Sequence, residues 1–197
     1  NTSESNPKNV TEISTPSVLL SIPASSVSGK NRDQILNTVQ AWEQIMDICR
    51  TTQGYDIEQP SSDFAVRQNV RCMQMFAGAF MYAAGSHIGI GAGSCAGMVS
   101  GTPVPANGIT SGGNGLFGWG IAHEIGHNMD LLGKAEITNN IYSIMVQTFD
   151  GKQNTLPSRL ENSGKYTKAF QKVAQQTPGM SNDVFTQLAM YWQLHLA

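Results

Sequence analysis

The run His123-Glu124-Ile125-Gly126-His127 sets two imidazoles four residues apart, with a carboxylate directly after the first. On a helix, residues four apart share one face, so both rings can grip a single metal ion. Glu124 then sits about 100° around the helix from His123 and leans over the open side of the metal without ligating it. Two nitrogen ligands and a free carboxylate suit zinc-assisted hydrolysis: the ion activates a water and the carboxylate takes its proton.

The elements must support that spacing. Leu116, Phe117, Ile121, Ile125, Met129 and Leu132 form an apolar stripe at helical intervals, and Gly133 offers a stop. The pattern predicts a helix over 116–132, with the histidine face opposite the core face. A zinc site needs a third protein ligand. Metzincins place a Gly three residues and a His six residues beyond the second His. Here those positions hold Asp130 and Gly133, so that class is excluded. Asp130 lies on the same predicted helix, poorly placed to approach from a third direction. Glu136 is better placed, in the first turn of a returning helix whose apolar face reads Ile137, Ile141, Tyr142, Met145 and Val146. Asp150 and Glu161 have no such supporting pattern. Asn140, or Asn139 beside it, is a candidate acceptor for the second ring N–H of a ligating histidine. A solvated helix flank is an equally weighted reading of both.

The motif, the eight-residue gap to Glu136 and the following Ile137-Thr138-Asn139-Asn140-Ile141-Tyr142 resemble the enhancin-like gluzincins, peptidase family M60. So does Met81-Tyr82-Ala83-Ala84-Gly85-Ser86-His87-Ile88-Gly89-Ile90. The resemblance runs from about Val18 onward and is most specific between Phe80 and Tyr142. It implies that His123, His127 and Glu136 are the zinc ligands and Glu124 the general base. It also implies glycoprotein substrates, with mucin-type O-glycosylated proteins foremost and a glycan beside the scissile bond. By the same likeness the protein is expected to be secreted or cell-surface, with a bacterial extracellular setting foremost.

Composition narrows the class further. Among 197 residues, 40% are hydrophobic, enough for a real core, while 13% are charged, about half the usual share. A net charge of −2 gives no electrostatic case for nucleic acid or an anionic membrane. No apolar run reaches the roughly 18–20 residues that a membrane span needs. The chain opens on Asn1 and ends in an uncapped helical stripe, so it reads as a piece of a longer protein. Its three cysteines, Cys49, Cys72 and Cys95, form no Cys-x-x-Cys pair. Cys49 reads as core; Cys72 and Cys95 could be bridged.

Along the chain, the polar residues 1–16 read as a linker or lead-in, and 17–197 as the catalytic domain. Val18 to Ile22, Phe64 to Met75 and Phe80 to Ala84 are strand-like. Asn31 and Gln34 resemble a capping box ahead of a helix over 32–52 carrying Ile35, Val39, Trp42, Ile45, Met46 and Cys49. Two further helices are expected over 165–174 and 182–197, with His195 on the apolar face. The predicted class is α+β of the gluzincin type: a small sheet, the active-site helix, then a mostly helical C-terminal part.

Between Gly85 and Gly118 there are eleven glycines, too many for a helix. Gly91 to Gly93 reads as a strand edge able to pair with an extended substrate. His87 is a candidate for substrate binding, although a satisfied structural histidine is the plainer reading. Trp119, one turn before His123, is either a rim residue able to stack on a sugar or core. Tyr142 joins Tyr82, Tyr166 and Tyr191 as candidates to stabilise an oxyanion. The functional expectation is a zinc endopeptidase of glycoproteins. Its competitors are a non-catalytic glycan-binding module and a metal hydrolase with another substrate.

Overall fold

A computed structural model of the chain describes residues 9–54, 67–76, 78–85, 87–100, 116–177 and 182–197. Strands β1 (Val10–Ser14), β2 (Val18–Pro23), β3 (Gln68–Met73), β4 (Met81–Ala84) and β5 (His87–Gly91) form one five-stranded sheet in the order β1-β2-β3-β5-β4. The two outermost pairings are antiparallel and the two inner ones, β2 with β3 and β3 with β5, are parallel. Register carries the core across the strands: Leu20 faces Val70, Val70 faces Ile88, and Ile90 faces Met81. Alternation does the sorting, since Val18, Leu20 and Ile22 are buried and the residues between them half-buried.

Helix α1 (Arg32–Thr52) begins where the sequence predicts. The Asn31 side chain accepts from the Gln34 amide at 2.9 Å, and Gln34 Oε1 accepts from the Asn31 amide at 2.9 Å. Its apolar stripe of Trp42, Ile45, Met46 and Cys49 joins the sheet's Leu20, Val70, Ile88 and Ile90 in one core, together with Ile121 and Ile125 of α2 (Ile121–Met129). The Trp42 indole donates to the Met98 carbonyl at 3.0 Å and so satisfies its one polar atom. A second cluster gathers Trp119, just ahead of α2, with Ile144, Leu160, Leu188 and Trp192 from α3 (Asn140–Thr148), α4 (Arg159–Asn162) and α6 (Val184–Leu196), and Ala169 of α5 (Lys165–Ala174). The result is the α+β arrangement expected: a small sheet, the motif helix, then helices.

Several local expectations are corrected. Part of the expected lead-in is sheet, because Val10–Ser14 pairs with β2; residues 1–8 lie outside the described residues. The strand expected over 64–75 is observed as Gln68–Met73, and residues 64–66 lie outside the described residues. The helix expected over 116–132 is a π-type turn at Leu116–Gly120 followed by α2, which stops at Met129. It stops there because Asp130 turns extended and its carboxylate caps the next turn, accepting from Leu132 N at 2.9 Å. The glycine-rich stretch contains a 3₁₀ helix, Ala92–Val99, despite its glycine density; residues 101–115 lie outside the described residues. His195 is exposed and stacks on Trp192 with ring centroids 4.5 Å apart. All three cysteines are free thiols. Among the described residues no helix is long and apolar enough to cross a membrane.

Candidate metal centre

Helix α2 packs its Ile121 and Ile125 into the core, which turns the opposite stripe, His123 and His127, toward an open cleft. Their rings meet edge-on with centroids 4.7 Å apart, and their Nε2 atoms are 3.1 Å apart. Glu136 closes the triangle, with Oε2 3.3 Å from His123 Nε2 and Oε1 3.2 Å from His127 Nε2. A four-coordinate zinc with ligands near 2.0–2.1 Å has ligand–ligand edges of about 3.3 Å. All three edges come close to that length, and the donor set of two imidazoles and one carboxylate is one that zinc takes. The residues therefore fit the ion.

Asn140, the first residue of α3, sets the protonation of one ring. Its Oδ1 lies 2.7 Å from His123 Nδ1 and can only accept, so Nδ1 carries the proton and the Nε2 lone pair faces His127 and Glu136. The same amide donates through Nδ2 to the Glu136 carbonyl at 2.8 Å. One side chain thus ties a histidine of α2 to the backbone that carries Glu136. Asn139 Nδ2 donates to the His123 carbonyl at 3.3 Å; its 3.2 Å approach to Nδ1 sets donor against donor. This junction is possible because residue 126 is Gly. A Cβ there would lie 2.3 Å from the Asn139 carbonyl oxygen and 3.0 Å from Tyr142 Cδ2.

Glu124 is 8% exposed. Burial is the main influence raising its carboxyl to about 6; the nearby His123 opposes the rise and Glu136 adds to it. His127 is held below its ordinary value, first by burial and then by His123, which favours the neutral ring that a metal needs. Both line a cleft of about 600 Å³, with His123, Glu136, Trp119 and the stretch Gly78–Ala83.

Other predicted site residues fall elsewhere. Glu136 is not in the first turn of a helix. It sits at φ +65° in the connection, and α3 begins only at Asn140. Gly91 and Gly93 offer no free edge, because Gly91 pairs with Met73 on one side, donates to the Phe80 carbonyl on the other, and Gly93 lies in the 3₁₀ helix. Among the described residues the sheet ends in β1 on one side and β4 on the other, and β4 is the edge beside the cleft. His87 lies outside the cleft lining, with its Nε2 3.1 Å from the Tyr82 hydroxyl. Tyr142 also points away: its hydroxyl donates to the Met129 carbonyl at 3.3 Å, within the core, and burial pushes it up to about 12. Trp119 touches the cleft but is 6% exposed, with the Arg159 guanidinium 3.6 Å over its ring and Phe185 against its edge.

Sequence reasoning missed β4 as a cleft wall, because strand order is not written in local pattern. It also missed Asn128, which donates to Gln68 Oε1 at 2.7 Å and pins α2 to β3.

Solved structures and sequence families set this geometry in context. A conserved protein of unknown function from Bacillus anthracis has a TM-score of 0.70 at 24% identity, covering 95% of this chain and 38% of that one. The ZmpB metallopeptidase of Clostridium perfringens gives 0.69 at 23%, covering 95% and 37%. The M60 catalytic domain of C. perfringens ZmpC, in complex with the sialyl T antigen, gives 0.57 at 24%, covering 79% and 28%. The chain thus spans under two-fifths of each of these chains, and the likenesses speak to the fold. No match was found among curated protein sequences. The sequence model that matches residues 1–197 is peptidase M60, enhancin and enhancin-like, and the chain belongs to that family.

Proposed function

We propose that this chain is the metal-binding part of a zinc-dependent endopeptidase that cleaves glycoproteins, mucin-type O-glycosylated ones foremost. One observation carries the reading: His123, His127 and Glu136 converge while Glu124 lines the same cleft without joining their triangle. A zinc ion held there supplies Lewis acidity, drawing the pKa of water from about 15.7 toward 7. Glu124 takes the proton of the attacking water and returns it to the leaving amine. Asn140 keeps the His123 proton on Nδ1 throughout.

Strand β4 gives the substrate its direction. Phe80 accepts from Gly91 N at 2.9 Å, so antiparallel alternation turns the backbone groups of Met81 and Ala83 away from β5, along the cleft. An extended peptide pairs there by strand addition, which brings its carbonyl past Glu124. Glycoprotein preference rests on the family and on the glycan held by the ZmpC domain. The reading extends to action outside the cell and, because the M60 domain of C. perfringens ZmpB is accompanied by CBM domains, to further domains in the parent of this chain.

The test is incubation of the purified chain with an O-glycosylated mucin-type protein, with and without a zinc chelator, beside Glu124→Gln and with zinc counted per chain. Chelator-sensitive cleavage, one zinc per chain, and a variant that keeps zinc but loses at least about a hundredfold in rate are expected. Bound zinc without cleavage points to a further segment needed for activity or to another substrate class, and no zinc at all favours a glycan-binding module.

A further inference from the structure

The connection between α2 and α3, residues 130–139, has to hold an exposed carboxylate against two imidazoles. Glu136 is 61% exposed at its side chain, so packing does not hold it. Its φ of +65° lies in the left-handed region, which residues with a Cβ disfavour. Left free, the backbone returns to negative φ and carries the carboxylate away from His123 and His127.

A set of hydrogen bonds opposes that relaxation. Asp130 Oδ2 accepts from the Thr138 hydroxyl at 2.5 Å, and Asp130 Oδ1 accepts from Leu132 N at 2.9 Å. The Thr138 hydroxyl in turn accepts from Lys134 N at 3.1 Å. Ile137 N and Thr138 N both donate to the Lys134 carbonyl at 2.9 Å. Thr138 is fully buried and Asp130 half-buried, so the hydroxyl that bridges the two ends of the connection is shielded from water on the threonine side. The bond to Asp130 is charge-assisted and joins the residue that ends α2 to the residue two before α3.

We infer that Asp130 and Thr138 are positioning residues: their hydrogen bond latches the connection in the one conformation that presents Glu136 to His123 and His127. The inference rests on the metal reading above. Neither residue touches the ion's place; each acts through the backbone of Glu136. The latch also gives Asp130 a task other than ligation, since its two carboxylate oxygens are already taken.

The test measures zinc affinity by competition with a chromophoric chelator, on the full chain, with the melting temperature of the metal-free protein recorded alongside. Wild type binds one zinc. Thr138→Val, which keeps the shape and loses the hydroxyl, weakens binding about 10–100-fold. Thr138→Ser restores it to within about threefold, because the hydroxyl returns. The decisive arm uses Glu136→Ala as background: there Thr138→Val has no further effect on zinc, because nothing remains to position. An equal loss in both backgrounds overturns the latch, as does wild-type affinity in Thr138→Val. Should Thr138→Val fail to fold, Asp130→Asn, which removes the charge and turns one of the two acceptor oxygens into an NH2 donor, is judged on the same cycle. A wild-type chain that binds no zinc overturns both the metal reading and the latch. A zinc-binding wild type with an indifferent Thr138→Val overturns the latch alone.

Discussion

Replacing Gly126 by alanine sets two effects of opposite sign against each other. Residue 126 is inside α2, where alanine is favoured over glycine by about 1 kcal/mol. Against that, the new Cβ would stand 2.3 Å from the Asn139 carbonyl oxygen and 3.0 Å from its carbonyl carbon. Both partners are backbone, so no rotamer change relieves the contact. Ordinary van der Waals separation needs α2 and α3 to part by about 1 Å, and overpacking of this kind costs about 1–3 kcal/mol. The clash outweighs the gain in helix propensity, for a net loss of about 1 kcal/mol and a melting temperature lower by about 2–4 °C. The same displacement stretches the 2.7 Å bond from His123 Nδ1 to Asn140 Oδ1 beyond hydrogen-bond length, so zinc affinity falls by about 10-fold or more. Differential scanning calorimetry of the metal-free chain and a chelator competition read the two effects separately. A variant that melts higher than wild type and binds zinc unchanged would refute the reasoning, because helix propensity would then have outweighed the clash.

Asn140→Leu removes the acceptor that fixes the His123 tautomer, and zinc affinity should drop about 10–100-fold in the same competition; an unchanged affinity means the ring orients itself. Glu124 acts as a base only when ionised, so kcat/KM should fall as pH drops through its pKa. Burial raises that value to about 6 in the metal-free chain, and a cation nearby favours the carboxylate. The acid limb therefore belongs at or below 6; a midpoint above 7 with zinc still bound contradicts the assignment. Iodoacetamide should label the half-buried Cys72 in the native chain and spare Cys49 and Cys95, both fully buried, the latter pushed up to about 12 chiefly by that burial. Mass spectrometry showing equally fast labelling at all three sites argues against this packing.

What sequence can supply is whatever rests on neighbours along the chain. Helix α1 is legible because its cap, Asn31 with Gln34, and its apolar spacing agree. The facing of His123 and His127 is legible because four residues make about one helical turn. Glu136 is legible as a residue but not as a conformation, since a left-handed glutamate held by a remote Asp130–Thr138 bond leaves no periodic trace. The edge expected at Gly91–Gly93 fails for a nonlocal reason: β4 precedes β5 in the chain but flanks it on the outside of the sheet. The Tyr142 hydroxyl is turned into the core, and its place on an apolar stripe already points inward, where Met129 offers an acceptor. His195 keeps helical step with Leu188 and Trp192, yet the last turn of α6 runs beyond what it packs on, leaving Leu194, His195 and Leu196 exposed.

All three donors of the candidate centre come from one short stretch of chain, His123 to Glu136, rather than from distant parts of the sequence. The ring that an ion closes is therefore small however the rest of the polypeptide is arranged, and small rings cost little chain entropy. An unfolded copy keeps the same donors within reach of one another and competes for the ion. Stabilisation by a ligand depends on its preference for the native over the unfolded form, so such competition narrows the gain. Chemistry and folding are in this sense separable here: a chelator should silence the site long before it melts the sheet and α1, which draw their cohesion from Leu20, Trp42, Val70 and Ile88.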